Sequence, residues 1–237
     1  MSAHEHPGEA HRGSVLARLT WLCAGVLGAN DGIVSTAGLV VGVAGATSAR
    51  GPVLLAGVAG VVAGALSMAG GEYVSVSTQR DTERAVLARE RWELEHLPDE
   101  ELAELAQMYA DRGLPGPLAH QVARALTDHD ALAAHAAVEL GIDPDERSDP
   151  WRAAWSSMTA SAAGALLPLL AVLLPPLTWR VPVTAAAVLL ALALTGWASA
   201  RTGGAPARPA VLRTVGVGAA AMAVTWTTGA LVGAQIG

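Results

Sequence analysis

The hydrophobic positions of this 237-residue chain gather in long unbroken runs instead of alternating or recurring on one helix face. Residues 32–49, 53–71, 153–179 and 181–200 contain no Lys or Arg and at most one acid each, and no charge follows Arg213. An apolar run of about 18 residues or more is long enough to cross a bilayer as a helix. The runs place five spans, at 19–46, 52–77, 152–174, 181–200 and 211–235. Between the second and third spans the pattern turns polar. Asp81 to His96 is rich in good helix formers, Pro98 and Asp99 break it, and Asp99 is placed to cap a second helix up to Arg112. Gly113 to Pro117 reads as a loop, Pro117 opens a helix to Leu126, and Thr127 or Asp128 can cap a last one that ends at Gly141. No Gly or Pro interrupts Val74 to Arg91, so the second span is expected to run straight on into the insert. No strand pattern of period two is present. The chain is therefore expected to be all-α, with a tail at 1–18, two spans in 19–77, a helical insert at 78–150 and three spans in 151–237.

Charge sets the orientation. All fifteen basic residues are arginines, and with a cytoplasmic N-terminus thirteen fall inside while only Arg50 and Arg180 fall outside. That asymmetry follows the positive-inside rule, so the insert is expected in the cytoplasm and, after an odd number of crossings, the C-terminus outside. The links Arg50-Gly51-Pro52 and Trp179-Arg180-Val181-Pro182 suit tight outer hairpins. The insert carries 17 of the 21 acids, against eight arginines between Arg80 and Arg152. This balance argues against a nucleic-acid partner and favours cations. It also explains why the mean hydropathy, +0.39, is modest for a membrane protein. The single cysteine, Cys23, excludes an intramolecular disulfide framework. The first eighteen residues include His4, His6 and His11 and lack an apolar core of signal-peptide length, so an exposed tail and a prokaryotic plasma membrane are expected.

Two acids lie inside the spans. Asp31 stands in Gly28-Ala29-Asn30-Asp31-Gly32, and Glu72 follows Met68-Ala69-Gly70-Gly71 near the inner end of span two. A charge at the helix centre costs on the order of 3 kcal/mol on insertion scales, so such residues face a cavity, a partner or an ion. No Lys or Arg lies within the spans away from their ends to pair with them. The alternative for Glu72 is to snorkel to the interface. Met68, four residues earlier, shares a helix face with Glu72, and a thioether beside carboxylates suits a borderline transition ion better than Mg²⁺ or Ca²⁺. Small residues at four-residue spacing, Gly28–Gly32, Gly38–Gly42 and Gly60–Gly64, should make spans one and two the closely packed part of the bundle or of an oligomer.

In the insert, Glu90 and Glu93 are three apart on one expected helix, Glu101 and Glu104 on the next, and His135 and Glu139 are four apart on the last. Each spacing puts two ligands on one face, and three such helices can converge six oxygen and nitrogen donors. Asp128, seven before His135, shares that face. The competing reading is a solvated acidic surface. His96, His120 and His129 read as surface histidines.

The strings Gly28-Ala29-Asn30-Asp31-Gly32-Ile33-Val34-Ser35-Thr36-Ala37-Gly38 and Ala65-Leu66-Ser67-Met68-Ala69-Gly70-Gly71-Glu72-Tyr73, continued by Gln79-Arg80-Asp81-Thr82-Glu83, resemble the vacuolar iron transporter family of iron and manganese exporters. The resemblance covers the chain from about residue 18. It implies a five-span homodimer with a cytoplasmic helical metal-binding domain between helices 2 and 3, moving Fe²⁺ or Mn²⁺ out of the cytosol in exchange for protons. By the resemblance, Asp31 and Met68 lie on the transport path, and the insert ligands fall on Glu90, Glu93, Glu101, Glu104, His135 and Glu139. His135 stands where the family is expected to have Met, and imidazole also suits Zn²⁺ or Co²⁺. Two rivals follow from the residues. A membrane-anchored metal sensor or buffer would use the insert alone. An enzyme is disfavoured, since no nucleophile–base pairing, HExxH or phosphate loop is present.

Overall fold

The structure, a computed structural model, describes residues 12–142 and 149–236, with side chains over 25–142 and 149–235. Seven α-helices follow in order: α1 (Arg12–Ala46), α2 (Arg50–His96), α3 (Pro98–Asp111), α4 (Gly116–His135), α5 (Pro150–Leu173), α6 (Arg180–Thr202) and α7 (Ala207–Ile236). A π-helical turn, Ala136–Leu140, extends α4, and a 3₁₀ turn, Leu177–Trp179, precedes α6. Five segments are long and apolar enough to cross a membrane: Gly25–Ala46, Arg50–His96, Pro150–Leu173, Leu177–Thr202 and Ala207–Gln235. α2 continues unbroken past its apolar part, because nothing between Val74 and Arg91 can stop a helix. The chain divides into two compact units, Val74–Pro150 and the described residues before and after it.

In the membrane-type unit α1 is the most enclosed helix. Ile33, Ala37, Val40 and Val41 of α1 form the core with Val53 of α2, Val172 of α5, Val188 and Leu192 of α6 and Met222 of α7. The outward positions remain apolar, among them Leu54, Leu55, Val58, Val62 and Leu66 on one side of α2, as hydrocarbon requires. Tyr73 of α2 meets Trp151 of α5 with ring centroids 4.8 Å apart.

The α1 glycines pack closely, but against different helices from those expected. A Cβ on Gly32 would collide with the Ser161 carbonyl oxygen of α5, and one on Gly229 of α7 with the carbonyl oxygen of Gly42. Toward α2, only Gly57 and Gly60 are tight, against the side chains of Leu169, Val40 and Leu39, while Gly64 meets nothing. Small-residue spacing marks a surface of close approach without naming the partner, and a central helix has several. Because the atoms facing Gly32 are backbone, Gly32→Ala is expected to cost about 2 kcal/mol or more. Gly216→Ala, in open space on α7, should be neutral or slightly stabilising. Thermal unfolding of the two purified variants tests this: equal midpoints would contradict the packing described.

The insert unit holds α3, α4 and the charged end of α2. Leu97 is the N-cap of α3 and Pro98 opens it, so Asp99 sits in the first turn and is not the cap. α4 breaks at Asp130, which has extended backbone and whose Oδ1 accepts from the Ala133 N–H at 2.9 Å. The cap of the last helical segment is thus Asp130, not Thr127 or Asp128. Three capping-type residues lie within four positions, and periodicity alone does not choose among them.

Candidate metal centre

Within the insert unit, Glu90 and Glu93 of α2, Glu101 and Glu104 of α3 and Glu139 of the π turn line one cleft of about 160 Å³, with Val86 and Arg89 at its side. Their spacing explains the convergence. Glu90 lies one turn after buried Leu87, and Glu101 one turn before buried Leu105, so each acid continues its helix's inward stripe. Glu90 and Glu101 are buried, Glu93 is half-buried, and Glu104 and Glu139 face the opening. His135 is fully buried behind them. The π turn is held by Arg112, whose Nη2 donates to the Val138 carbonyl at 2.7 Å, and ends at Gly141 in the left-handed region (φ 65°). Wider turns of this kind recur at functional sites. Asp128 is exposed and does not join the group, since the break at Asp130 shifts its helical phase.

Distances around His135 match those between ligands of one ion. Its Nδ1 lies 2.9 Å from Glu90 Oε1, 3.6 Å from Glu101 Oε2 and 3.8 Å from Glu139 Oε2. Two donors about 2.1 Å from a common cation are separated by about 3.0 Å at a right angle and about 3.4 Å at the tetrahedral angle. One donor atom each from Glu90, His135 and Glu139 falls within 4.8 Å of the others. Despite the close approach, Glu90 Oε1 and both ring nitrogens of His135 make no well-aligned hydrogen bond, and Glu139 supplies His135 only a weak one. Buried polar atoms in this state cost free energy unless something else satisfies them. A divalent cation among them would serve. Arg89 pairs with Glu93 at 3.0 Å on the exposed rim, neutralising part of the cluster's outer charge.

Burial, and then the charges of Glu139, Glu101, Glu93 and Glu104, push the Glu90 carboxyl up to about 7. Burial first and neighbouring acids second also raise Glu101. Burial lowers His135, against the pull of Glu139 and Glu104. The signs fix the pH response. Glu90 keeps a proton in the fold between 4.5 and about 7 that the unfolded chain has released, so its contribution is complete below 4.5 and lost as pH rises through 7. His135 acts oppositely, its contribution fading below 6.5. Between pH 6.5 and 8 the metal-free insert should lose about 1 kcal/mol through Glu90, after a larger loss between 4.5 and 6.5, and saturating Mn²⁺ should restore it by binding the deprotonated carboxylates. Hydrogen exchange of full-length protein in EDTA and in Mn²⁺ reads this directly. Insert protection in EDTA that rises with pH would contradict the assignment.

The membrane-type unit places the other candidates as follows. Asp31, Met68 and Glu72 are each half-buried. Met68 and Glu72 continue the stripe of α2 that carries Val53, Gly57 and Ala65, opposite the outward Leu54, Val58 and Val62. α1 and α2 are adjacent at Leu39/Gly60 and Val40/Gly57 and run antiparallel. Equal rise along both helices counts from these two contacts to residues 66 and 68 of α2 opposite Asp31. Beyond Gly60 the contact loosens, since Gly64 has nothing within 4 Å. Beside Asp31, Asn30 Oδ1 is buried without a hydrogen-bond partner, as is Ser157 Oγ on α5, which faces Gly28. Sequence reasoning did not single out these two oxygens. Asn30 was visible in the motif, whereas Ser157 is found only from the α1–α5 packing. Among the described residues, the acids and histidines that gather closely enough to hold an ion are those of the insert, and Asp31 and Glu72 are not among them. His96, His120 and His129 are exposed, and His4, His6 and His11 lie outside the described residues.

Comparison with known proteins matches residues 22–230 to the VIT family. A protein named vacuolar iron transporter from Acanthamoeba castellanii is 43% identical over 225 residues, 94% of this chain and 83% of the relative. Vacuolar iron transporter homolog 1 of Oryza sativa subsp. japonica is 38% identical, over 93% of this chain and 77% of the relative. Vacuolar iron transporter 1 of Tulipa gesneriana is 32% identical, over 85% and 83%.

Proposed function

The chain belongs to the VIT family, and from that premise we propose that it exports Fe²⁺ or Mn²⁺ from the cytosol in exchange for protons. It is an integral membrane protein of a transporter family and not an enzyme. The observation that carries the proposal is the convergence of Glu90, Glu101, His135 and Glu139, with buried donor atoms left without well-aligned hydrogen bonds. In this reading the insert is cytoplasmic and its acids, including Glu93 and Glu104, draw hydrated ions from the cytosol. Asp31, Met68 and Glu72, contributed by each protomer of a homodimer, then replace water ligands inside the bilayer. Carboxylates bind metal deprotonated, so ion and proton compete for the same oxygens, and an inward proton gradient reloads them and expels the ion. The relatives are named for the vacuole, and this exchange is the same across that membrane or a plasma membrane. His135 adds a nitrogen donor and widens the ions accepted toward Zn²⁺ and Co²⁺.

Proton release accompanying binding tests this chemistry. Titration of full-length protein in detergent with Mn²⁺ at pH 7, repeated in buffers of different ionisation enthalpy, should show about one proton released per ion. Binding with no buffer dependence would overturn the competition. The location of the insert group also favours a second reading, a membrane-anchored buffer or sensor, in which the spans are passive. That reading predicts binding without flux.

A further inference from the structure

At the end of α1 and the start of α6 lies a cavity of about 320 Å³, bounded by residues 44–48 on one side and by Leu177, Arg180 and Val181 on the other. Arg180 is 2% exposed. Its Nη1 donates to the Ser48 carbonyl at 3.3 Å, which places a cation at the C-terminal end of α1 where the helix dipole favours one. This contact explains one nitrogen. Nε and Nη2 are buried with no hydrogen-bond partner, and no ion pair among the described residues includes Arg180. Those two nitrogens carry the N–H bonds that run parallel along one edge of the guanidinium, the edge that grips the two oxygens of a carboxylate or phosphate. A buried cation with that edge vacant is costly, more so in a membrane protein.

The amides at the start of α6 already have partners: the Trp179 N–H donates to the Pro176 carbonyl, the Arg180 N–H donates to the Leu177 carbonyl, and Pro182 carries no N–H. The positive character at this place is therefore that of the Arg180 guanidinium, whose fork suits an oxyanion. The hydroxyl-bearing Thr47 and Ser48 stand on the opposite wall. In the chain leading to Arg180, Leu174, Leu177 and Trp179 are exposed, the pattern of a segment at headgroup depth, where Trp concentrates.

We propose that Arg180, across from the Thr47–Ser48 wall, binds a phosphate-type oxyanion at this end of the bundle. In a bilayer that chemistry is offered by the phosphodiester of an anionic lipid or by free inorganic phosphate. The test uses full-length protein in nanodiscs of phosphatidylcholine alone or with 30% phosphatidylglycerol, with inorganic phosphate titrated into the neutral discs, and reads the thermal midpoint. A rise with phosphatidylglycerol supports the site with lipid as its source, and a rise with phosphate in neutral discs supports it with the free ion. Arg180→Lys keeps the charge but loses the fork and should weaken either response by about tenfold. Thr47→Asp, which supplies a carboxylate from the cavity wall, should abolish it and serves if the Arg180 variant does not fold. The proposal is overturned if the wild type responds to neither anion, or if both variants respond as the wild type does.

Discussion

Asp31→Asn is expected to abolish metal flux in reconstituted liposomes, lowering the rate by about 100-fold or more while leaving the fold intact. The substitution keeps the volume and hydrogen-bonding capacity of the side chain and removes both the negative charge and the titrating oxygen. Packing should tolerate it. Asp31 is half-buried, and the close approaches of α1 are made by Gly28, Gly32 and Gly42. Metal binding by the insert should be unchanged, because Glu90, His135 and Glu139 belong to a separate compact unit. Retention of more than about a tenth of the wild-type flux would remove Asp31 from the path and favour the buffer reading.

Glu90→Gln should have opposite effects on binding and on stability. The amide cannot supply an anionic ligand, so metal affinity of the full-length protein should fall by about 100-fold. Yet the same change removes a buried carboxyl that burial and four neighbouring acids disfavour in its charged form. The metal-free variant should therefore be more stable than the wild type at pH 8 and similar to it near pH 5, where Glu90 already carries its proton. His135→Ala should lose affinity comparably but also lose stability, since a fully buried ring leaves a cavity. A Glu90→Gln protein that binds Mn²⁺ like the wild type, or that is less stable at pH 8, would contradict the role assigned to the cluster.

Much of this architecture was legible because its signals are local. Apolar runs gave the five spans within a few residues of the helices found, and the absence of Gly and Pro between Val74 and Arg91 foretold the continuity of α2. The convergence of the insert's acids and His135 was legible for a related reason: three pairs at helical spacing can be seen one helix at a time, and once the helices pack, their common face brings the pairs together. What the sequence withheld depends on which helix meets which. The glycines of α1 advertised close approach but not that α5 and α7 make it. Asp130 could not be distinguished from Thr127 and Asp128 as a cap, and the π turn that carries Glu139 has no sequence mark. Arg180 was counted as an outer-loop cation, and its burial emerges only when the end of α1 folds over it.

Reconstituted wild-type protein offers the most direct test of transport itself. Liposomes with an acidic lumen, metal-free inside and given Fe²⁺ outside, should accumulate the ion above its external concentration while the lumen alkalinises, and both changes should stop when a protonophore collapses the gradient. Fe²⁺ that binds in proportion to protein, saturates, and never enters the lumen would show that the chain holds metal without moving it.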